Sequence, residues 1–375
     1  MNIACLSHLR WHFVFQRPQH LLTRAARSGR VMYVEEPVWS DGEPRIVLSQ
    51  DNGVIVAVPH LPQRLSAEQQ TLVQRQLLAE SIREHLPGEY VVWFYTPMAL
   101  TVAQDLKPVG VVYDCMDELS AFAGAPASLR SHESELFRCA DVVFTGGQTL
   151  FEAKRTHHPN VHLFPSSVDV AHFAGARRVQ GDPADQSAIP RPRIGYFGVI
   201  DERMDYELLS GVASARPDWH LILVGPTAKV DPVALPRASN IHYLGAKQYA
   251  QLPEYIGGWD VAMLPFARNE ATRYISPTKT PEYLAAGKSV VSTSIRDVVR
   301  PYGQQGLARI ADSVGDFVAA VEAALAEDPV ARLRAGDAFL THLSWDGTWL
   351  RMRQLVEQAI SDRVTRGAPG ARTAS

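Results

Sequence analysis

Short hydrophobic runs alternate with amphipathic helical patterns along the first half of the chain. The helical patterns are clearest at Ala67 to Glu84 and at Leu129 to Ala140. Strands that alternate with helices in this way are typical of a parallel, doubly wound α/β sheet. The strands predicted for this half are Asn2 to Ser7, Val31 to Glu35, Gly53 to Pro59, Tyr90 to Tyr95, Gly110 to Asp114, Val142 to Thr145 and Val161 to Phe164.

The same alternation returns in the second half after an interruption. Residues 177–193 are rich in proline and polar side chains and lack apolar periodicity, so they are predicted to form an exposed linker. A second α/β domain is expected beyond them. Its predicted strands cover residues 193–200, 219–224, 241–244, 261–265 and 289–293, with helices near residues 205–215, 251–257 and 314–327.

The length of the chain also indicates two domains. A chain of 375 residues is too long for one ordinary core, because single domains usually hold roughly 100 to 200 residues. We predict an N-terminal domain over residues 1–176 and a C-terminal domain over residues 194–344. A last amphipathic helix is predicted over residues 345–362, followed by a flexible tail over residues 363–375.

Charge and cysteine content exclude several functional classes. The chain has 37 basic and 40 acidic residues, which is no signature of polyanion binding, so nucleic acid is not an expected partner. Its three cysteines, Cys5, Cys115 and Cys139, lack the spacing of a disulfide framework or a zinc site and suit a reducing cytoplasm. No stretch approaches the roughly 20 apolar residues that span a bilayer.

The most informative segment is Tyr274 to Val299, YISPTKTPEYLAAGKSVVSTSIRDVV, which predicts a loop, a short helix and a buried strand. Thr280 is expected to cap the helix and Pro281 to occupy its first position. Free backbone N–H groups at the helix start, with the charge of Lys279, favour a phosphate. Glu282 would accept hydrogen bonds from a ribose diol. The alternative is a surface helix in which Lys279 and Glu282 form an ordinary i,i+3 pair.

Three predicted strands of the second half end in a glycine with a basic residue nearby. The glycines are Gly198, Gly225 and Gly245, and the basic residues are Arg203, Lys229 and Lys247. Glycine lets a ligand approach the backbone closely, and ligands of open α/β sheets bind at the carboxyl edge of the strands. Taken singly, the glycines also suit tight turns and the basic residues also suit a solvated surface.

Five segments of the second half resemble the donor domain of GT-B glycosyltransferases, in their large retaining family of the group 1 type. They are GYFG at 195–198, LILVGP at 221–226, NIHYLG at 240–245, LPEYIGGWDVAMLPF at 252–266 and SPTKTPEYLAAGKSVVST at 276–293. In the first half, WHFVFQRPQHL and YDCMDELSAF resemble a bacterial subgroup that serves surface-polysaccharide assembly. The resemblance implies two Rossmann-like doubly wound domains that face a central cleft, with the last helix packing back on the N-terminal domain.

The resemblance also implies a donor site. Glu282 matches the acid that binds the ribose, and Ser276 to Lys279 match the loop that holds the diphosphate. Two positions depart from the family: Tyr274 replaces a frequent glutamate, whose role would pass to Glu270, and Val199 replaces a frequent arginine. The donor-binding residues expected are Gly198, Asp201, Gly225, Lys229, Gly245, Arg273, Ser276, Pro277, Thr278, Lys279 and Glu282.

The first half is expected to hold the acceptor. Polar and aromatic residues follow its first strand, at the edge that faces the predicted cleft. They are Arg10, Trp11, Gln16, Arg17 and His20, which equally suit an ordinary helix start. Asp117 is the candidate to orient the acceptor hydroxyl or the donor sugar, with a loop cap as the alternative. A metal pair of Asp114 and Asp117 is a weaker interpretation.

The function expected is a glycosyltransferase of cell-surface polysaccharide biosynthesis, which uses a UDP-, GDP- or TDP-sugar donor and a saccharide or lipid-linked acceptor. The resemblance implies retention without a metal or other cofactor, with Lys279, Arg203 and Asp117 as catalytic residues. We expect a cytoplasmic protein, and peripheral contact with the inner face of the cell membrane stays open. The alternatives are a non-catalytic nucleotide-sugar-binding or scaffold protein and a sugar-nucleotide epimerase.

Overall fold

The computed structural model describes residues 1–367 and divides into two compact α/β units. The first unit comprises residues 1–165 and the chain from Trp345 onward, and the second comprises residues 166–344. The boundary therefore lies before the predicted one at residue 176. Of the predicted tail, residues 363–367 belong to the last helix and residues 368–375 lie outside the described residues.

The first unit is built around a parallel sheet. Its strands are β1 (Asn2–Leu6), β2 (Val31–Val34), β3 (Val38–Trp39), β4 (Arg45–Asp51), β5 (Val54–Leu61), β6 (Tyr90–Phe94), β7 (Gly110–Cys115), β8 (Val142–Thr145) and β9 (Val161–Leu163). Its helices are α1 (Arg17–Ala25), α2 (Ala67–His85), α3 (Leu100–Ala103), α4 (Leu129–Cys139) and α5 (Gln148–Lys154). The order is β3-β5-β2-β1-β6-β7-β8-β9, and β4 pairs with β5.

The central strands of this sheet are buried almost throughout, which explains their continuous apolar runs. Strand β4 is the exception, because it is antiparallel to β5 and mostly exposed. It was not predicted, since its sequence has no clear apolar alternation. The turn that joins it to β5 has Asn52 at φ 49° and Gly53 at φ 83°, and the Asn-Gly pair is a strong hairpin signal that could have revealed it.

The second unit contains a six-stranded parallel sheet in the described part of the chain. Its helices and strands are α6 (Val170–Ala174), α7 (Ala184–Ser187), β10 (Arg193–Phe197), α8 (Tyr206–Ala215), β11 (His220–Val224), β12 (Ile241–Gly245), α9 (Leu252–Gly257), β13 (Val261–Leu264), α10 (Lys279–Ala285), β14 (Ser289–Ser292), α11 (Arg296–Val298), β15 (Arg309–Ile310), α12 (Val314–Leu325) and α13 (Pro329–Leu340). The strand order is β12-β11-β10-β13-β14-β15.

The segment predicted as a linker packs on the second unit instead. Gln186 is fully buried; its side-chain amide donates to the Tyr255 carbonyl at 3.1 Å and accepts from the Trp259 indole at 3.0 Å. Arg193 is also buried and donates to the Ile189 carbonyl. Most of this segment is exposed as predicted, but these two buried polar side chains fix it to the second unit through hydrogen bonds.

The last helix, α14 (Trp345–Gly367), belongs to the first unit. Trp345, Trp349 and Met352 enter the core of that unit, where the Trp349 and Trp93 rings lie 6.1 Å apart between centroids. Among the described residues, none of the helices combines the length and the apolar character needed to cross a bilayer.

A histidine pair joins β11 to β12, and we expect it to make the protein less stable as pH is lowered. His220 Nδ1 and His242 Nε2 lie 3.0 Å apart. Burial lowers the pKa of both histidines. The Arg193 charge lowers the pKa of His220 further, while the Asp218 charge opposes this shift. The neighbouring His220 further lowers the pKa of His242. A histidine whose pKa is lower in the folded protein stabilises the fold fully above the unfolded pKa near 6.5. That stabilisation is lost as pH falls through the folded pKa.

Urea unfolding between pH 8 and pH 5 measures this effect. The free energy of unfolding should fall as pH drops below about 6.5, by less than the roughly 1.4 kcal/mol that a pKa lowered by one unit gives a buried group, because water screens these half-buried rings. A His242→Gln variant removes one titrating ring and should show a shallower pH dependence. An unchanged slope in that variant would assign the pH dependence to other groups.

Candidate functional site

The carboxyl ends of three neighbouring strands of the second unit pack tightly against one another. Gly198 follows β10 at φ 146°, and Gly225 follows β11 at φ 150°. A Cβ atom on Gly225 would lie 1.8 Å from the Gly198 carbonyl oxygen. The Gly225 N–H donates to the carbonyl of Gly245, the last residue of β12, at 2.9 Å. Only glycine suits both the left-handed backbone and this close approach.

Helix α10 is anchored over the end of β10. The Tyr283 hydroxyl accepts a hydrogen bond from the Phe197 N–H at 3.0 Å. Lys279 Nζ lies 4.8 Å from the centroid of the Phe197 ring, and a Cβ on Gly198 would lie 3.4 Å from Lys279 Cε. The side chain of Lys279 is 20% exposed. Its charge is therefore held at the strand end.

Glu282 lies beside Lys279 on the same helix. It is 7% exposed, and its Oε2 is 3.4 Å from Lys279 Nζ. Burial raises the pKa of Glu282, and Lys279 only partly opposes that rise. Oε2 makes no hydrogen bond within the described chain. Because a buried carboxylate oxygen without a hydrogen bond is unfavourable, this oxygen is suited to accept one from a ligand hydroxyl.

The loop before α10 differs in detail from the prediction. The helix begins at Lys279, with Thr278 as the flanking residue, so Thr280 and Pro281 lie inside it rather than at its start. Thr280 is fully buried. Thr278 Oγ1 accepts a hydrogen bond from Lys279 Nζ at 2.9 Å. Ser276, Pro277 and Thr278 are each partly exposed next to Lys279.

Arg203 and Asp201 form an ion pair in the loop after β10. Arg203 Nε and Nη2 donate to the Asp201 carboxylate at distances of 2.7 to 3.1 Å. Arg203 also interacts with Tyr196, where its charge partly opposes the rise in pKa that burial causes. The Tyr196 hydroxyl would be 2.6 Å from a Cβ on Gly198. Both predicted residues thus lie near the strand end, but Asp201 already balances the Arg203 charge.

Lys229 and Arg273 are exposed, and neither forms an ion pair with Glu282 in the described structure. Arg273 Nη1 lies 3.5 Å from Glu270 Oε1, and its guanidinium stands 5.3 Å from the centroid of the Tyr274 ring. Glu270 therefore pairs with Arg273 on the surface. The structure does not join either basic residue to the arrangement around Lys279.

Arg17, predicted to bind the acceptor, is instead buried in the core of the first unit. It is 1% exposed and holds the Asp114 carboxylate with three hydrogen bonds of 2.8 to 3.1 Å. Its Nη1 donates to the Phe164 carbonyl at 2.6 Å. The prediction that Arg17 binds the acceptor is corrected, because its guanidinium is already hydrogen-bonded to Asp114, a residue distant in sequence. The same pair removes Asp114 from the weaker metal interpretation, and no cluster of three or more metal-ligating side chains occurs among residues 1–367.

The other predicted acceptor residues also have partners within the first unit. Trp11 is buried and donates from Nε1 to Asp51 at 2.8 Å. His20 is buried and stacks on Trp345 at 4.5 Å between centroids. Arg10 bonds to residues 35–37, and the Gln16 N–H donates to the Gln19 side chain at the start of α1. Trp11 and His20 are corrected to core positions, because their polar atoms and rings face residues brought close by folding.

A buried ion cluster near Asp117 was missed. Lys154 Nζ lies 2.6 Å from Glu118 Oε2 and 2.8 Å from Glu133 Oε2. Burial acts to lower the pKa of Lys154, but these carboxylates hold it above its ordinary value. Glu133 lies on the apolar face of α4, between Leu129 and Leu136 in the helical spacing, and that position was the available signal. Asp117 is partly exposed and directly precedes the tethered Glu118.

Comparison with known proteins finds a family to which the second unit is similar. Residues 191–327 match the family model described as Glycosyl transferases group 1. A Bacillus subtilis protein named as a teichuronic acid biosynthesis glycosyltransferase is 25% identical over 240 residues, which are 58% of this chain and 59% of that protein. The match therefore spans less than two thirds of that relative.

Solved structures match nearly the whole chain at low identity. Sucrose-phosphate synthase from Thermosynechococcus elongatus has a TM-score of 0.72 at 15% identity, over 96% of this chain and 99% of that one. A UDP-forming trehalose-phosphate synthase from Burkholderia xenovorans, in complex with glucose-6-phosphate, has a TM-score of 0.68 at 13% identity, over 95% and 99%. The predicted pair of Rossmann-like domains is thereby confirmed: the chain has the GT-B fold, and residues 191–327 of its second unit are similar to group 1 glycosyltransferases.

Proposed function

We propose that this protein is a glycosyltransferase that moves a sugar from a nucleotide-sugar donor to a saccharide or lipid-linked acceptor in cell-surface polysaccharide biosynthesis. The observation that carries the proposal is the arrangement of Lys279 and Glu282 over the glycine that ends β10. The group 1 family match and the relative named for teichuronic acid biosynthesis support it. We also propose that the sugar transfer takes place in the cytoplasm.

The donor nucleotide is assigned to the carboxyl edge of the second sheet. Glu282 would accept hydrogen bonds from the two ribose hydroxyls, which suits a buried carboxylate whose Oε2 has no hydrogen bond in the described chain. Lys279 would face the diphosphate, and the glycine backbone at Gly198 would permit close approach. Arg203 is also assigned to the donor site, with a charge that its ion pair with Asp201 already balances.

The chemistry follows from the charges that develop as the glycosidic bond to the diphosphate breaks. Positive charge grows on the sugar and negative charge grows on the leaving phosphate, so a positioned cation at the phosphate lowers the barrier. We assign that role to Lys279. Transfer with retention, in which the acceptor hydroxyl gives its proton to the leaving phosphate, requires neither a protein base nor a metal. Asp117 is proposed to orient the acceptor hydroxyl or the donor sugar.

A donor panel tests the proposal directly. Thermal shifts and hydrolysis are measured with UDP-, GDP- and TDP-sugars, and a bound ligand at a hundred times its dissociation constant should stabilise the protein by about 2.7 kcal/mol. One nucleotide class should raise the melting temperature and be hydrolysed slowly. If none of these nucleotide sugars binds or is hydrolysed, a non-catalytic scaffold is favoured.

Glu282→Ala should weaken binding of the nucleotide found in that panel by about 10- to 100-fold, because a hydrogen bond to a charged group contributes about 1.5 to 3 kcal/mol. Isothermal titration with the free nucleoside diphosphate measures the change. Glu254→Ala, at an exposed glutamate of the same unit, is the matched control and should bind normally. Equal affinity in both variants would remove Glu282 from the donor site.

A further inference from the structure

Strand β4 is an open edge of the first sheet. Within residues 1–367 it pairs with β5 alone, from Arg45 to Asp51 without a bulge. Its seven residues include no proline or lysine, which commonly block an edge against further pairing. Val47 and Leu48 at its centre are 41% and 38% exposed. Because successive side chains lie on opposite faces of a sheet, each face of this edge carries an uncovered apolar side chain.

Alternate residues of β4 direct their backbone N–H and C=O groups away from β5. Asp51 and Val54 flank the two-residue turn, so they form a hydrogen-bonded pair of the antiparallel ladder. Bonded and non-bonded pairs alternate from there, which places Pro59, a residue without an N–H, at a non-bonded pair. The outward residues are Ile46, Leu48 and Gln50, with two groups each. In the described chain, no hydrogen bond joins these six groups to another backbone segment.

The two charges of β4 stand at its ends and on the same face. Arg45 Nη1 donates to the Glu43 carbonyl at 3.4 Å. The Asp51 carboxylate accepts from the Trp11 indole at 2.8 Å and from the Asn52 amide at 2.9 Å. These partners are uncharged. Six steps of extended strand hold Arg45 and Asp51 about 20 Å apart, so the two charges cannot pair with each other within one chain.

A second copy of β4 matches all of these features in one register. When two such strands run antiparallel, Leu48 faces Leu48 of the other copy and Ile46 faces Gln50, so the six outward groups of each strand form six backbone hydrogen bonds. The same register sets Arg45 opposite Asp51 at both ends, at non-bonded pairs where side chains lie closest. A shift by two residues keeps four of these bonds and loses both charge pairs.

We propose that two copies of this chain form a symmetric dimer by antiparallel pairing of their β4 strands, which joins the two first-unit sheets into one. Two-fold pairing is the commonest way in which identical chains associate. It uses the open β4 edge of both copies, so the assembly closes at two chains. A pair of seven-residue strands is a small interface, and small interfaces give reversible association that depends on protein concentration.

Sedimentation velocity of the full-length protein tests the dimer. The wild type should pass from monomer to dimer between about 1 and 100 µM. Leu48→Pro removes an outward N–H at the two-fold axis and should leave a folded monomer, because that N–H makes no bond to β5. Arg45→Glu sets like charges opposite each other at both ends and should raise the dissociation constant at least about tenfold. Arg83→Glu makes the same change of charge at an exposed position of α2 and should dimerise normally.

A mixture of two variants tests the register. Asp51→Lys alone sets two cations opposite each other at both ends, so it should dimerise as poorly as Arg45→Glu. An equimolar mixture of the two variants brings opposite charges together at both ends of a heterodimer. The mixture should therefore dimerise about tenfold more tightly than either variant alone. A folding defect in either variant would not be repaired by mixing.

Four results would overturn the proposal. The first is a wild type that stays monomeric up to about 100 µM. The second is a dimer that is equally strong in Leu48→Pro and Arg45→Glu, because another surface would then hold it. The third is a mixture that dimerises no better than its two components. The fourth is monomeric protein that binds phosphatidylglycerol vesicles and loses this binding in Leu48→Pro, since β4 would then be a lipid contact.

Discussion

Replacing Lys279 with alanine is expected to slow sugar transfer by about 100- to 1,000-fold, the loss typical when one preorganised group that stabilises a developing anion is removed. The negative charge on the leaving phosphate grows as the bond breaks, so the interaction is stronger in the transition state than in the bound substrate. Both kcat and kcat/KM should therefore fall by similar factors. Steady-state kinetics with the donor identified in the panel measures both.

Two comparisons make this result specific to Lys279. Arg334→Ala removes an exposed cation of α13 in the same unit, so it should retain the wild-type rate if the effect is local. Nucleoside diphosphate affinity should change much less in Lys279→Ala than the rate does. A variant that loses only donor affinity would make Lys279 a binding residue, and a variant with unchanged turnover would end its assignment to the site.

Replacing Arg17 with methionine should destabilise the first unit by about 3 to 5 kcal/mol, because the Asp114 carboxylate would be left buried without its partner. Asp114 is fully buried and the pair is bidentate. Hydrogen exchange of amides in β1 and β7 and urea unfolding measure the loss. The double variant Arg17→Met/Asp114→Leu should recover much of it, since no lone buried charge remains.

The matched control is an ion pair on the surface of the same unit. Arg27 and Asp346 lie 2.7 Å apart, with both side chains more than half exposed. Surface pairs contribute about 0 to 1 kcal/mol, so Arg27→Met should have little effect on unfolding. Similar losses in Arg17→Met and Arg27→Met would contradict the role assigned to burial.

The fold could be predicted because its determinants are local. Buried parallel strands carry uninterrupted apolar runs, as in β6 and β13, and these runs stand out from the amphipathic helices between them. The Lys279 and Glu282 arrangement was accessible for the same reason, since residues three apart on one helix lie on the same face. Their 3.4 Å separation depends on that helix alone.

The residues that were misassigned depend on partners distant in sequence. Arg17 meets Asp114, Trp11 meets Asp51 and His20 meets Trp345. A polar residue near a strand end can face either solvent or the interior, and local spacing does not distinguish the two. Gln186 shows the same effect in the segment predicted as a linker, because its buried amide bonds to Tyr255 and Trp259.

Helix α14 has a consequence for the order in which the chain folds during synthesis. The core of the first unit includes Trp345, Trp349, Met352 and Val356, which leave the ribosome only after the whole second unit has been made. Until then, Trp93 and Phe144 lack the side chains that cover them, and the Arg17 pair lacks Met352. Domains usually mature in order from the N-terminus. Here the second unit is complete in sequence first, so we expect the nascent first unit to expose this apolar surface until α14 has been made.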